Sequence, residues 1–335
     1  MKVLITGGAG YIGSTVATAC LEAGIETVLI DDLSTGLRAF GEGRGLYVGD
    51  IADAEVLDRV LADHPDIDAV VHCAARIVVP ESVDDPLGYY DTNVGKTVLL
   101  LARLRAAGID RIVFSSSAAV YAAETGGGVD ESGALAPSSP YASTKAMVEQ
   151  ILRDAAVAGD FRAIALRYFN PIGADPRLRT GLQNPRPTHA LGKIMQAKAE
   201  GVPFTITGTD WPTRDGSGLR DYIHVWDLAL AHVAAVQRFD DIVTTPDPYR
   251  VINLGTGDGV TVRELVAAFE RVTGETLPVV DAPRRAGDQA GAFAIVDRAH
   301  DLLGWRAERS TDDGVRDALD WAEKLPAVRA ASDAL

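Results

Sequence analysis

Sulfur is scarce in this 335-residue chain, which has two cysteines and three methionines. Cys20 and Cys73 lack metal-ligand or redox spacing, so both are expected to be small buried hydrophobes in a reduced cytoplasm. The six histidines are scattered, and no metal site is expected. Positive charge is also short: 32 Lys and Arg stand against 47 Asp and Glu, for a net charge of -15. A polyanion would be repelled, which excludes a nucleic-acid surface. Any anionic ligand must then be met by glycine-loop amides, helix N-termini and individual arginines. No apolar run approaches the ~20 residues of a membrane span. The opening Met1-Lys2-Val3-Leu4-Ile5 enters a glycine loop without the pattern of a signal peptide, so a cytoplasmic protein is expected. Internal repeats and low-complexity tracts are absent.

What is present is core material. Apolar residues make up 47% of the chain, enough for one large domain or two moderate ones. Residues 2–6 predict a short apolar strand, followed by Gly7-Gly8-Ala9-Gly10-Tyr11-Ile12-Gly13 opening a helix to about residue 23. Glycine at 7, 10 and 13 permits a tight turn, backbone approach to a pyrophosphate, and close helix-strand packing. A second strand at 26–30 ends in Asp31-Asp32. An acidic residue there hydrogen-bonds a ribose diol and repels a 2'-phosphate, which favours NAD over NADP.

Alternation continues with strands at 45–48, 68–72, 111–114 and 161–166, and helices at 54–62, 87–107 and 141–158. The expected fold is α/β: a Rossmann-like, doubly wound parallel sheet with a smaller C-terminal α/β substrate domain. The expected boundary puts residues 1–170 in the NAD-binding domain, and 171–335 mainly in the substrate domain, with segments free to cross back. Gly126-Gly127-Gly128 and residues 170–187 read as loops, the second a domain junction. Asp50-Ile51 follows a strand end, where the carboxylate could meet an adenine amine or cap the next helix. Residues 311–324 predict a terminal helix capped by Ser310, with a frayed tail after it.

The chemistry concentrates between Ser115 and Lys145. Ser115-Ser116-Ser117 follows a buried strand whose C-terminal end opens onto the crevice of a parallel sheet. In Tyr141-Ala142-Ser143-Thr144-Lys145, residues four apart share a helix face, so phenol and ammonium are expected side by side. Lowering a Tyr from ~10 to about 7 needs roughly 4 kcal/mol. One positive charge at about 4 Å supplies on the order of 4 kcal/mol at an effective dielectric near 20. Lys145 alone is thus expected to be nearly sufficient.

Thr6-Gly7-x-x-Gly10-x-x-Gly13, Ser117 and Tyr141-x-x-x-Lys145 resemble the extended short-chain dehydrogenase/reductase superfamily. Asp91-Thr92-Asn93-Val94, Ser115-Ser116-Ser117-Ala118, Ser139-Pro140-Tyr141 and Leu166-Arg167-Tyr168-Phe169-Asn170-Pro171 resemble its UDP-glucose 4-epimerase family. So do residues 218–225 and Pro283-Arg284-Arg285-Ala286-Gly287-Asp288. The resemblance implies NAD-dependent 4-epimerisation of a UDP-hexose through a transient 4-keto sugar. Tyr141 would be the base at the 4-hydroxyl, Ser117 would share that proton, and Lys145 would hold the nicotinamide ribose. It also implies cofactor contacts from Gly7, Gly10, Tyr11, Ile12, Gly13, Asp31, Asp32, Asp50, Ile51, Ala74, Asn93, Ser115 and Tyr168. Asn170, Arg220 and Arg285 would hold the diphosphate, Asp288 the ribose, and Ala292 would border the hexose.

This sequence departs from the family around the sugar. Ala119 stands where Thr is frequent, Ile77 where a Lys is familiar with Arg76 beside it, and Thr188-His189 where an Asn pair is familiar. Gly291-Ala292 is small where a bulky residue can narrow the pocket, so N-acetylated UDP-hexoses are an expected alternative substrate. A 4,6-dehydratase would need Asp-Glu where Ala118-Ala119 stand. A net dehydrogenase or ketoreductase could use the same triad, whereas a non-catalytic NAD-sensing protein should lack it. His224 reads as structural and Trp211 as packing. A homodimer is implied through the helices at 87–107 and 141–158, whose apolar spacing packing on the sheet would equally explain.

Overall fold

The structure, a computed structural model, describes residues 1–122, 125–184, 187–284 and 289–335, with the side chain of Thr125 left aside. Its frame is a seven-stranded sheet of β1 (Lys2–Thr6), β2 (Glu26–Asp31), β3 (Leu46–Val48), β4 (Ala69–His72), β5 (Arg111–Ser115), β6 (Arg162–Tyr168) and β7 (Tyr249–Leu254). The order is β7-β6-β5-β4-β1-β2-β3, and every pairing is parallel. These strands read as near-continuous apolar runs because both faces are covered. On one face the helices Tyr11–Glu22 and Val225–Gln237 close a core around Val3, Ile5, Val71 and Ile252. On the other, Ala54–Asp63, Lys96–Ala106 and Pro140–Val157 cover Leu4, Val70, Ile112 and Ala163. Each fully buried Leu, Ile or Val contributes roughly 1.5–3 kcal/mol.

The order in which strands are added reverses between β1 and β4. β2 and β3 build outward on one side, while β4 to β7 build on the other. The crevice at such a switch point is where open α/β sheets hold ligands. A separate apolar cluster, with Ile172, Leu191, Phe204, Leu265 and Phe269, lies in the C-terminal half. β7 nonetheless returns from that half to pair with β6.

Four expectations change. The helix expected at 87–107 is Pro86–Tyr90, a π turn at Asp91–Gly95, and then Lys96–Ala106. Such a turn inserts one residue and re-aims a side chain, here Asn93. Gly126-Gly127-Gly128 lies in the strand Thr125–Val129, paired with Gly291–Ala294. A Cβ on Gly128 would come within 3.0 Å of the Phe293 ring, so the bare backbone permits the pairing. Asn170–Ile172 is likewise a strand rather than loop, paired with Tyr222–His224.

The terminal helix runs Thr311–Asp333 through Pro326, with no frayed tail from 325 to 333. Tertiary contacts hold that last stretch. Trp321 and Leu325 are buried, Arg329 Nη2 donates to Gln183 O at 2.6 Å, and Ser332 Oγ accepts from Ala39 N at 3.2 Å. Ser310 caps this helix, as its sequence predicts.

Candidate active site

The glycine turn follows β1. Gly7 has φ +67°, and a Cβ there would lie 2.8 Å from Ala74 N after β4. A Cβ on Gly13 would lie 2.1 Å from Gly7 O, so only bare backbone closes the turn. Gly10 caps the helix, Tyr11 Oη donates to Gly173 O at 2.7 Å, and Ile12 packs on the core. Asp31, at the end of β2, accepts from Ala9 N at 2.9 Å and Leu33 N at 2.8 Å. Burial pushes its carboxyl up despite those bonds. Asp32 is exposed and binds the Ser34 amide and hydroxyl.

The next contacts line the second strand end. Asp50 pairs with Lys96 and accepts from Ala52 N, whereas Ile51 belongs to the core. Ala74 N donates to Thr6 Oγ1 at 3.3 Å. Asn93 is engaged on every side. Its oxygen accepts from Arg76 N at 2.8 Å, and its nitrogen donates to Arg76 O and Thr144 Oγ1, both at 3.0 Å. It therefore fixes the 74–76 segment against the helix Pro140–Val157. Arg76 itself bonds Asp85 and covers the Tyr89 ring.

The three serines after β5 divide their work. Ser115 Oγ lies 2.9 Å from His232 Nε2, and His232 Nδ1 lies 2.9 Å from Leu228 O. Nδ1 must then carry the proton, so the Ser115 hydroxyl donates to Nε2. Ser116 Oγ donates to Glu149. Ser117 accepts from Ala119 N at 3.2 Å, and its hydroxyl lies beside the Tyr141 phenol. Of the three hydroxyls expected to face a ligand, buried partners claim two.

Ser139 caps the helix Pro140–Val157 by accepting from Ala142 N, and Pro140 supplies its first residue. Tyr141, Lys145 and Glu149 then fall on one buried face. The electrostatic expectation for Lys145 does not hold in the chain by itself. Lys145 Nζ donates to Ser115 O at 2.8 Å and lies 4.9 Å from the Phe114 ring centre. Burial lowers it to about 8. The Tyr141 phenol is pushed up by burial, and the neighbouring Ser117 hydroxyl opposes that. Sharing a helix face put the two residues in register, but the ammonium turned to the strand carbonyl.

Tyr168 is buried beside Tyr141, with its phenol pushed well up by burial. Asn170 is half-buried, its amide bonded to Asp221 O at 3.0 Å. Arg220 is half-buried and folds Nη1 onto Leu219 O at 2.6 Å. Ala292 packs with Ala118 and Phe169 around Val120, Tyr121 and Val129. Arg285 and Asp288 lie outside the described residues. His224 caps the helix Val225–Gln237 from a buried position, and Arg284 sits 3.6 Å over the Trp211 ring, so both read as structural. His189 caps Ala190–Glu200. Among the described residues no group of His, Cys, Asp and Glu could hold a metal.

Sequence reasoning missed the groups beneath the site. Arg167 and Glu149 form a pair with each side chain 2% exposed, bidentate through Nε at 2.9 Å and Nη2 at 2.6 Å. His72 bridges Thr6 Oγ1 at 2.7 Å and Thr97 Oγ1 at 2.9 Å, and burial lowers it to about 3. The four-residue step from Lys145 to Glu149 was the available signal. The partner across the sheet was not.

A glycine turn at the switch point, with a Ser-Tyr pair and a buried Lys facing it, defines a dinucleotide-dependent site for proton and redox chemistry. The chain belongs to the NAD dependent epimerase/dehydratase family, whose model matches residues 3–255. It is similar to UDP-glucose 4-epimerase of Azospirillum brasilense, at 47% identity over 97% of this chain and 92% of that one. Among solved structures it is similar to UDP-glucose-4-epimerase of Stenotrophomonas maltophila with bound NAD and formylated UDP-arabinopyranose. There the TM-score is 0.91 at 38% identity, covering 98% of this chain and 99% of that one. UDP-glucose 4-epimerase of Bifidobacterium longum in complex with NAD+ and UDP gives a TM-score of 0.87 at 35% identity, covering 97% and 99%.

Proposed function

We propose that this chain interconverts UDP-galactose and UDP-glucose by inverting C4, with NAD retained as its cofactor. The observation that carries the reading is that Tyr141 and Lys145 share one buried helix face after the glycine turn, with the Ser117 hydroxyl beside the phenol. The residues fit a dinucleotide. The turn from Gly7 to Gly13 has no room for a Cβ at its crossing, and Lys145, with three donors, has one acceptor among the described residues. Backbone amides of the turn would hold the pyrophosphate, Asp31 the adenosine ribose, and Lys145 the nicotinamide ribose. NAD, when bound, supplies a reversible two-electron acceptor at C4 and a positive charge near the phenol.

Within that frame Tyr141 takes the proton of the 4-hydroxyl and later returns it, while Ser117 holds the oxygen in hydrogen-bond reach throughout. Inversion requires the 4-keto sugar to present its other face while the nucleotide stays bound. Binding energy must therefore come from the part that does not turn. Asn170, Arg220 and Arg285 are assigned to the diphosphate, Asp288 to the uridine ribose, and Ala292 to the hexose border. We assign residues 171–335 mainly to the substrate side, with the helix Val225–Gln237 and β7 crossing back to the sheet. We also propose a homodimer, on Leu87, Val98, Leu99 and Met147, which expose apolar side chains from the two helical segments at 86–106 and 140–157.

The test is turnover of UDP-galactose by the purified protein without added cofactor, with UDP-N-acetylgalactosamine run alongside. UDP-glucose is the expected product, and Tyr141→Phe should lower kcat by about 10²–10⁴. Stoichiometric NADH release would instead identify a dehydrogenase. A drop of less than about tenfold in Tyr141→Phe would remove Tyr141 as the base.

A further inference from the structure

A cleft of about 520 Å³ opens beside β7, the edge strand of the sheet. That size falls in the roughly 300–1,000 Å³ range of small-molecule sites. Its walls carry Arg153, Arg167, Arg250 and Arg298 against Glu131 and Asp247, a local excess of positive charge in a chain of net charge -15. Two of the four are neutralised within the wall, Arg298 by Glu131 at 3.5 Å and Arg250 by Asp247. Arg153 is different. Its guanidinium lies 5.1 Å from the Tyr249 ring centre, and among the described residues it has no carboxylate partner.

Arg167 forms the inner wall. It is 2% exposed, its Nε and Nη2 are held by Glu149, its guanidinium lies 4.8 Å from the Tyr121 ring centre, and among the described residues its Nη1 has no hydrogen-bond partner. A buried guanidinium nitrogen without an acceptor is a donor that an anionic oxygen would satisfy. Planar guanidinium forks suit phosphate and carboxylate oxygens, and the Tyr249 ring and Leu135 supply apolar walls for the rest of a ligand. We propose that this cleft is a second, non-catalytic binding site for a small organic phosphate or carboxylate, held at its anionic head by Arg153 and Arg167. Arg167 shares Glu149 with Ser116, the neighbour of Ser117, so the occupant would rest on a buried pair that adjoins the active site.

The experiment titrates the full chain, saturated with UDP, with glucose 6-phosphate, citrate and inorganic phosphate by calorimetry. Saturable binding of at least one probe is expected. Arg153 is exposed, so Arg153→Met should fold as the parent does and bind that probe about tenfold more weakly, the loss of one charge-assisted contact. Arg153→Glu should bind more weakly still. Glucose 6-phosphate without citrate would identify a phosphate ester, and the converse a polycarboxylate. No saturable binding of any probe, or equal binding by parent and Arg153→Glu, would overturn the proposal. The Arg153 comparison reads this cleft whether or not the chain epimerises UDP-galactose.

Discussion

At the scale of single residues, burial outweighs neighbouring charge at the buried tyrosine, lysine and histidine groups. It pushes Tyr141 up and lowers Lys145 to about 8, His72 to about 3, and His189 and His232 to about 4. A histidine in the unfolded chain titrates near ~6.5. Between that value and about 4, the unfolded state takes up protons that the folded state refuses, so stability is lost as pH falls through this window. At pH 5 each such histidine should cost about 2 kcal/mol relative to neutral pH. Denaturant midpoints measured from pH 7 down to 5 should fall, and the slope of stability against pH should shrink by up to one proton in His72→Gln. An unchanged slope would mean that His72 does not stay neutral in the folded chain.

At the scale of elements, the helix Pro140–Val157 connects the crevice to the interior. Its four-residue steps bring Tyr141 to the mouth, Lys145 to the end of β5, and Glu149 to Arg167 on β6. Breaking one member of a buried ion pair leaves the other uncompensated, at a cost of about 3–5 kcal/mol. Glu149→Gln should therefore lower the unfolding free energy by that amount, and pairing it with Arg167→Met should recover part of the loss. A parent-like midpoint for Glu149→Gln alone would show that Arg167 finds another partner. The same helix shows how far the sequence could be read. The 141-145 spacing gave the shared face, yet the direction of the Lys145 ammonium depended on a strand carbonyl thirty residues earlier.

At the scale of the molecule, the exposed apolar residues of the two helical segments proposed for the dimer set the last expectation. Leu87 is 80% exposed, Leu99 54% and Met147 45%. Exposed apolar groups clustered on adjacent helices mark an interface more than scattered ones do. Sedimentation of the parent should report a dimer, and Leu99→Asp should shift it toward monomer. A parent that sediments as a monomer at micromolar concentration would end the dimer proposal.

By itself, the sequence determined the strand-helix alternation, the glycine turn with Asp31 two strands in, and the Ser117, Tyr141 and Lys145 set. These are local: apolar period, turn chemistry and helix spacing act within a few residues of one another. Tertiary structure decided what lies across the sheet. It directed Ser115 and Ser116 inward because His232 and Glu149 wait there, paired Arg167 with Glu149, drew the glycine-rich stretch at 126–128 into a strand, and carried the last helix past Pro326 on contacts with residues near Ala39 and Gln183. Each of these rests on a partner far away in the chain, and no local pattern records where such a partner will be.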